Sequence, residues 1–581
     1  MSWELKESLR KIAAKERGAC VFPSGVREKC ALVYPNSYFV GMSNLGMHII
    51  YQQMNGRRDT ACERFFLPDK KELPVYERTR TAIMSVETQT PLHDFSLIAF
   101  AISFEMDYFN LLNMLKLGKV KVRSEERGEK DPLVIAGGPC ATFNPEPLCD
   151  FVDAFIIGEG EETIHRFLDA YYRAKQDRLN RDGLLLRLAA VPGVYVPRFY
   201  SPLYHSDGTI KSIEHDPRVC AKVQRQWVHN LDDYPAHTVI ATTDTEFNLF
   251  LIEVARGCGR HCRFCMAGYC FREPRNRSLE QITKMLELAK AQDKKVGLMG
   301  AAISDYPQIN ALCQQILSQD MPMSVASFRA DSVTKELVDS LAASGLKTLT
   351  MAPEAGSEKL RRVINKGIEK EHLFHAVKLG TQAGIRNFRL YIMIGLPFED
   401  DSDIEAVVHL ANEVKDYMES LGNKGMLTLS VNPFVPKPLT PFQWLPMGQM
   451  KQIEQNMKYI QVAVKRRKNL DIIVESPKEA YIQGVLARGD RRLGAVLFDA
   501  HIAGGSKRFK SMLKAHGLEE GFYLYRQREA DEIFPWESLD MGFSRQYLYD
   551  ELLKAAGQKA TPRCFDGCKR CGVCKEKEDL L

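Results

Sequence analysis

Three cysteines in the middle of the chain have the spacing of a metal–sulfur site. Cys258, Cys262 and Cys265 form a C-x-x-x-C-x-x-C pattern within the segment ARGCGRHCRFC. Three thiolates on one short loop can bind three irons of a cubane cluster, which leaves the fourth iron open to a small molecule. The pattern therefore predicts a [4Fe–4S] cluster that does chemistry at its open iron.

Four further cysteines repeat part of this pattern in the tail segment PRCFDGCKRCGVC. They are Cys564, Cys568, Cys571 and Cys574. A fourth thiolate closes the coordination sphere, so this set predicts either structural zinc or an electron-transfer iron–sulfur cluster. The spacing leaves the metal open, because cysteine pairs separated by two residues bind both. Only the central set precedes a long series of strands and helices, so we expect the reactive cluster there.

The composition is that of an ordinary globular protein. The chain has 581 residues, 15 cysteines and a formal net charge of +5 at pH 7. An odd number of clustered cysteines indicates metal sites and not a disulfide framework. With no secretory signal and no run of about 18 apolar residues, we expect a cytoplasmic protein with no membrane contact. The small net charge neither requires nor excludes a nucleic-acid partner.

Apolar periodicity divides the chain into six regions and predicts an α/β fold. We expect a helical leader (residues 1–20), a Rossmann-like doubly wound domain (21–175), a linker with a small β region (176–245), a partial (β/α)6 barrel of the TIM type (246–445), a mainly helical domain (446–560) and a four-cysteine tail (561–581). Strands that alternate with helices are typical of parallel sheets. The central cysteines directly follow the first predicted barrel strand, at the end where such barrels build their sites.

The barrel region resembles the radical S-adenosylmethionine (SAM) superfamily. The resemblance covers about residues 247–440 and is carried by CGRHCRFC, GLMGAA, SFRADSV, APEAGSEKLRRVINKG and RLYIMIGLPFEDDSD. It implies that Cys258, Cys262 and Cys265 hold a [4Fe–4S] cluster. In that family the cluster gives one electron to SAM, whose C–S bond breaks to form a deoxyadenosyl radical.

The same resemblance implies which residues contact SAM. Phe264 is expected beside the adenine, and Gly297 and Gly300 are expected near the amino group through backbone carbonyls, because the usual glutamate is missing from GLMGAA. Contacts to the ribose, amino or carboxylate groups are implied for Arg329, Glu354 and Arg389. The alternative for these three residues is a salt bridge within the barrel.

The N-terminal domain resembles the cobalamin-binding domain that is fused to many radical SAM proteins. The matching segments are ALVYPNSYFVGMSNLGMHIIY, IAFAISFEMDYFNLLNML and VIAGGPCATFNPEPLCDFVDAFIIGEGEE. The resemblance implies cobalamin at the edge of the sheet, where Gly137, Gly138, Gly158 and Gly160 would let the backbone approach a flat ligand. The D-x-H-x-x-G motif that supplies a histidine to cobalt is missing. The domain is therefore either a cobalamin site without that ligand or a purely structural domain.

Three candidate functions follow. The first is a cobalamin-dependent radical SAM methyltransferase that acts on an unactivated carbon of a small-molecule, peptide or RNA substrate. The second keeps the radical cluster without cobalamin, for sulfur insertion, rearrangement or RNA modification, with an auxiliary cluster in the tail. Both need an electron donor such as a reductase, a flavodoxin or a ferredoxin. The third is a non-enzymatic RNA-binding protein with a zinc-knuckle tail, whose basic segments KRRK and RGDRR would contact RNA.

Overall fold

A parallel-sheet domain, an open barrel and a C-terminal segment share one hydrophobic core. The computed structural model describes residues 3–326 and 328–574. A single large cluster of buried apolar side chains runs through all three parts. Within the described residues, no helix combines the length and the apolar character that crossing a membrane would require.

The N-terminal domain is built on a six-stranded sheet with the order β2-β1-β3-β4-β5-β6. Its strands are β1 (Glu28–Tyr34), β2 (Thr60–Phe66), β3 (Leu97–Ala101), β4 (Leu133–Gly137), β5 (Ala154–Ile156) and β6 (Val194–Tyr195). Its helices are α1 (Trp3–Ala13), α2 (Tyr38–Gly41), α3 (Leu45–Asn55), α4 (Leu73–Thr79), α5 (Tyr108–Leu117), α6 (Pro139–Phe143), α7 (Gly160–Gln176) and α8 (Arg181–Ala189). The strand order reverses between β1 and β3, which creates a crevice at the carboxyl edge of the sheet.

The central strands of this sheet are apolar because helices cover both faces. The central strands β3 and β4 read LIAFA and LVIAG, and almost every residue in them is buried. Parallel strands with two covered faces typically show such continuous apolar runs. The sheet does not stop at residue 175, since β6 pairs antiparallel with β5.

A short β region links the two domains. It contains the hairpin β7 (Tyr200–Tyr204) and β8 (Ile210–His215) and the short strand β9 (Val223–Gln224). β9 pairs in parallel with Leu539–Asp540 from the C-terminal segment. The linker thereby ties the end of the chain to the junction of the domains.

The barrel contains seven parallel strands, one more than the predicted six. They are β10 (Phe250–Glu253), β13 (Val296–Met299), β14 (Met323–Val325), β15 (Thr348–Glu354), β16 (Asn387–Ile394), β17 (Leu427–Pro433) and β18 (Leu470–Val474), and the antiparallel pair β11 (Ala255–Arg256) and β12 (Arg275–Asn276) lies at its mouth. A parallel bridge between Phe328 and Met351 joins the two parts of the barrel sheet. The predicted α/β class is therefore confirmed, and β18 extends the open barrel.

Helices cover the outside of the barrel. They are α10 (Leu279–Ala291), α11 (Ile309–Ser318), α12 (Lys335–Ala343), α13 (Glu358–Val363), α14 (Lys370–Gln382), α15 (Asp401–Ser420) and α16 (Met450–Val464), while the short α9 (Ala267–Cys270) lies at the mouth between β11 and β12. Hydroxyl side chains begin several of them, since Ser278, Thr334 and Ser357 accept hydrogen bonds from backbone N–H groups in the first turn.

The C-terminal segment packs on both domains. It contains α17 (Pro477–Arg488), α18 (Leu493–Ala503), α19 (Phe509–Ala515), a π-helical turn at Gly521–Tyr525, β19 (Leu539–Asp540) and α20 (Arg545–Ala556). Helix α18 contacts α5 of the N-terminal domain, whereas α20 contacts α13 of the barrel.

Candidate functional site

The central cysteines lie on the loop between β11 and β12. Cys258, Cys262 and Cys265 follow Arg256 at the carboxyl ends of the barrel strands and precede α9. Gly257 turns the chain into this loop with a φ of +79°, and a Cβ at this position would lie 2.1 Å from the carbonyl oxygen of Phe271. Only glycine fits there, so the backbone fixes where the loop begins.

The three thiols are gathered in a poorly solvated space. Cys262 is buried, and Cys258 and Cys265 are half-buried. Burial, with smaller contributions from the neighbouring sulfurs of Cys262 and Cys258, raises the pKa of Cys265 to about 12. Burial also raises the pKa of Cys258, with a second contribution from Cys262. Thiolates crowded in this way need a bound metal to neutralise them, so the donor set fits an iron–sulfur cluster.

Neither cysteine set is arranged around a single ion. Across residues 3–326 and 328–574, no group of three or more cysteine, histidine, aspartate or glutamate side chains is placed to hold one metal ion. Tetrahedral zinc needs four donors at about 2.3 Å from one ion, whereas a cubane gives each thiolate its own iron. The fit of the central set to a cluster therefore rests on spacing, proximity and burial.

Two positive charges lie beside the central thiols. Nη1 of Arg329 approaches the sulfur of Cys262 at 3.9 Å, and Nη2 donates to the carbonyl oxygen of Lys366 at 2.6 Å. Lys366 pairs with Glu354, with 3.0 Å between Nζ and Oε1. All three side chains are largely shielded from solvent. These cations favour an anionic thiolate–metal centre and an anionic ligand next to it.

Arg260, which lies in the cysteine loop itself, connects the loop to Arg329 through a shared aspartate. Its guanidinium donates to Asp305 at 2.7 Å and to Asp331 at 2.7 Å. Asp331 also pairs with Arg329, at 3.1 Å. Sequence reasoning missed Lys366, Asp305 and Asp331, since their spacing gives no signal and they meet only when the barrel curves.

Arg389 lies on the interior face of the barrel. Along β15 and β16, buried positions alternate with partly exposed ones, and Arg389 is one of the latter, in register with Thr350 and Thr428. Its Nε atom is buried and has no hydrogen-bond partner among the described residues. A buried donor without a partner is unusual. Its charge and position suit a bound anion such as a carboxylate.

The other residues with implied SAM contacts differ in their surroundings. Gly300 lines a cavity beside the cysteine loop. A Cβ on Gly297 would lie 2.9 Å from Leu251, so that glycine provides room for packing within the sheet. Phe264 is half-buried against the core. For Glu354, the alternative interpretation of a salt bridge within the barrel matches its pairing with Lys366.

A cavity of about 440 Å³ lies between the N-terminal domain and the barrel. It is mainly apolar, and both domains contribute to it. From the sheet edge come Gly137, Gly138, Gly158 and Gly160, and from the barrel mouth come Gly257, Phe271, Met299 and Gly300. The crevice of the doubly wound sheet and the space beside the cysteine loop are therefore continuous.

The four glycines at the sheet edge differ in the space that a Cβ would find at each position. A Cβ would lie 2.7 Å from the carbonyl oxygen of Ile102 at Gly138, 2.1 Å from that of Gln226 at Gly158, and 2.7 Å from Ile50 at Gly160. Backbone contacts therefore require glycine at 138 and 158, whereas the contact at 160 is with the end of the Ile50 side chain, which can move. At Gly137 a Cβ would make only ordinary van der Waals contacts, at 3.8 Å from Cβ of Ile156 and 3.9 Å from its carbonyl oxygen.

The tail cysteines lie against the central loop. The backbone N–H of Cys564 donates to the carbonyl oxygen of Gly259 at 2.8 Å. Burial raises the pKa of Cys564, and the sulfurs of Cys568 and Cys571 add to this effect. Burial, Glu273 and the sulfurs of Cys571 and Cys564 raise the pKa of Cys574 to about 12. The four tail thiols are thus close to one another, and the two cysteine sets are neighbours in space.

The arginines of the basic segment RGDRR are buried or form ion pairs within the protein. Arg491 pairs with Glu146 at 2.8 Å, and Arg492 pairs with Asp490 at 2.6 Å. Arg488 is fully buried. RGDRR therefore does not form a freely exposed basic surface, and contact with RNA stays a prediction.

Comparisons with known proteins match both halves of this architecture. A family model described as radical SAM proteins, N-terminal, matches residues 46–197, and the radical SAM superfamily model matches residues 252–411. An uncharacterized protein of Methanocaldococcus jannaschii is 30% identical over 473 residues, which cover 80% of this chain and 90% of that protein. An uncharacterized methyltransferase of Pyrococcus horikoshii is 22% identical over 300 residues, which cover 49% of this chain and 59% of that protein.

Solved structures with a similar chain path include two cobalamin-dependent enzymes. The cobalamin-dependent SAM radical enzyme OxsB, with aqua-cobalamin bound, superposes with a TM-score of 0.48 at 13% identity and covers 92% of this chain and 79% of its own. The radical SAM methyltransferase TsrM from Kitasatospora setae, with tryptophan and a SAM analogue bound, superposes with a TM-score of 0.43 at 15% identity and covers 69% of this chain and 72% of its own.

Proposed function

This chain belongs to the radical SAM superfamily, and on that basis we propose that it transfers a methyl group to an unactivated carbon with cobalamin as the carrier. Membership makes it an enzyme that uses a [4Fe–4S] cluster and SAM. The third candidate, a non-enzymatic RNA-binding protein, is therefore wrong. The substrate stays within the predicted classes of small molecule, peptide or RNA.

We assign the radical cluster to Cys258, Cys262 and Cys265. The cluster supplies the electron that splits the C–S bond of SAM. The chain supplies binding and orientation: Arg329 keeps a positive charge 3.9 Å from the sulfur of Cys262. Arg389 has a buried donor available for the SAM carboxylate.

The shared cavity is the observation that carries the cobalamin proposal. Doubly wound sheets bind ligands at the carboxyl edge, where the strand order reverses. Here that edge opens on Gly257 and Gly300, which adjoin the cysteine loop. A methyl carrier must reach both SAM and the substrate, and a ligand in this cavity would have that access. The description of the Pyrococcus horikoshii relative as a methyltransferase supports the same reaction.

The cavity lining fits a cobalamin that takes no histidine from this chain. Among the described residues that line the cavity there is no histidine. Aliphatic side chains, including Ile49, Ile135 and Ile156, offer apolar surface to the faces of a large ring, and Gly137 leaves room beside Ile156. The chain would thus hold the ring by its faces and edges and not through the cobalt.

The test is to purify the protein without oxygen from cells supplied with cobalamin, reconstitute iron and sulfide, and measure metals, spectra and deoxyadenosine. We expect about four to eight irons per chain, a corrinoid spectrum, and deoxyadenosine formed from SAM with dithionite. The variant Cys258→Ala/Cys262→Ala/Cys265→Ala should lose deoxyadenosine formation and keep the corrinoid. Cys313→Ala, which changes a buried thiol in α11, is the matched control and should behave as the wild type.

The outcomes separate the two parts of the proposal. Deoxyadenosine without any bound corrinoid would favour the second candidate, a radical SAM reaction that needs no cobalamin. Unchanged deoxyadenosine formation in the triple variant would overturn the assignment of the cluster ligands.

A further inference from the structure

A buried cation without an acidic partner lies beside the tail cysteines. Arg272 is 1% exposed. It donates to the carbonyl oxygen of Gly268, to the hydroxyl of Tyr547 at 3.1 Å and to Nδ1 of His261 at 2.5 Å. No carboxylate among the described residues pairs with it, although an uncompensated buried charge is costly.

The tail thiols lie where a negative charge would compensate Arg272. The sulfurs of Cys564 and Cys571 are close enough to Arg272 to interact with it electrostatically. A second cation, Arg570, donates from Nε to the sulfur of Cys568 at 3.2 Å. Four thiolates on a metal centre carry a net negative charge, and that charge would compensate both arginines.

The spacing of the tail is compatible with both metals, and it contains one run that is common in cluster-binding segments. Cys568, Cys571 and Cys574 form a C-x-x-C-x-x-C run, and Cys564 precedes them by four positions. Such a run is typical of the cubane-binding segment of bacterial ferredoxins, whereas structural zinc sites usually combine two separated ligand pairs.

We propose that the four tail cysteines hold a second [4Fe–4S] cluster, which passes electrons to the radical cluster. One electron enters from a low-potential flavin or iron–sulfur protein and reduces the tail cluster from the 2+ to the 1+ state. The electron moves on to the central cluster and is consumed when the C–S bond of SAM breaks. Four protein ligands leave the tail cluster no open iron, so it transfers electrons and does not bind SAM.

His261 provides the path between the two clusters. Its Nδ1 accepts a hydrogen bond from Arg272, so Nε2 carries the proton and donates to the sulfur of Cys564 at 3.1 Å. His261 is bonded to Cys262, a ligand of the central set. One hydrogen bond and the covalent bonds of two residues therefore connect the two sets of thiolates. This inference rests on the chain's membership of the radical SAM superfamily and is independent of cobalamin.

The first experiment isolates the tail site. In the reconstituted Cys258→Ala/Cys262→Ala/Cys265→Ala variant, we expect about four irons per chain. Reduction should give an electron paramagnetic resonance signal of a [4Fe–4S] cluster in the 1+ state that SAM does not alter. One zinc per chain, or a site that cannot be reduced, would overturn the proposal. Because the tail is intact in this variant, the result does not depend on whether tail mutants fold.

The second experiment tests the relay. Deoxyadenosine formation is measured with a reduced ferredoxin or flavodoxin and, separately, with dithionite, in the wild type and in Cys568→Ser/Cys571→Ser. We expect the ratio of the protein-driven rate to the dithionite-driven rate to fall at least tenfold in the variant. An unchanged ratio would overturn the relay. Loss of the corrinoid alone would bear on the proposed methyl transfer and not on the relay.

Two substitutions at position 261 test the path from the tail cluster through His261. His261→Leu removes the N–H···S hydrogen bond, so the midpoint potential of the tail cluster should become more negative. His261→Gln keeps a donor on a side chain of similar length and should restore part of the shift. Equal potentials in all three proteins would show that His261 does not contact the cluster ligand.

Discussion

Glu159 and Arg275 form a bidentate ion pair across the junction of the two domains. The carboxylate lies at the sheet edge of the N-terminal domain, and Arg275 donates to it from β12 at 2.6 and 2.9 Å. Arg256 adds a third contact at 2.9 Å. Burial opposes ionisation, but the hydrogen bond and charge of Arg275, with Arg256, lower the pKa of Glu159 to about 2. The pair therefore holds one wall of the shared cavity against the other.

Glu159→Gln should destabilise the protein. The variant leaves Arg256 and Arg275 with less negative charge in a buried site, and breaking a buried pair costs about 3–5 kcal/mol. Urea unfolding followed by tryptophan fluorescence measures the change. Glu162→Gln, which changes a partly exposed residue in the first turn of the following helix α7, is the control and should stay within about 0.5 kcal/mol. An equal loss of unfolding free energy in both variants would mean that the Glu159–Arg275 pair stabilises the protein no more than the Glu162–Arg166 pair does.

Glu399 should make the protein less stable as the pH rises. Burial raises its pKa to about 7, although the N–H groups of Gly395 and Leu396 oppose the shift. A raised pKa means that the stabilisation is present below the unfolded value of 4.5 and is lost as pH rises through about 7. The loss is at most about 3 kcal/mol. The difference in stability between wild type and Glu399→Gln should change between pH 4.5 and 7, and a constant difference would contradict this account.

Arg389→Met should weaken SAM binding. The substitution keeps an unbranched apolar stem and removes the charge whose Nε lacks a partner among the described residues. Losing a hydrogen bond to a charged group costs about 1.5–3 kcal/mol, so the dissociation constant for SAM should rise at least tenfold with unchanged iron content. Equilibrium dialysis measures the constant. Arg386→Met, at an exposed position, is the control, and unaltered affinity in Arg389→Met would remove this residue from the SAM site.

Gly137→Phe should exclude the corrinoid. A Cβ at Gly137 would touch Ile156 at ordinary contact distance without a clash, so a phenylalanine ring there would occupy the cavity that Gly137 lines. We expect loss of the corrinoid spectrum with full iron content, whereas Gly137→Ala should retain both. Normal corrinoid binding by the phenylalanine variant would move the cobalamin site out of this cavity.

Apolar periodicity and cysteine spacing predicted the α/β class and the loop that carries the central thiols, because both depend on short-range patterns. Strand β18 was missed, since LDIIV lies between helical segments and exposes Asp471 and Ile473 at the edge of the sheet. The contacts of Arg272 with His261 and Tyr547 had no sequence signal. They form only when α20 reaches the barrel mouth.

The contact between His261 and Cys564 also sets an order of events during translation. The two residues are 303 positions apart. At about 5–20 residues per second, the ribosome needs roughly 15–60 s to make the intervening chain. During that time the central loop has been made and the tail that contacts it has not. The hydrogen bond between His261 and Cys564 can therefore form only near the end of synthesis of this chain.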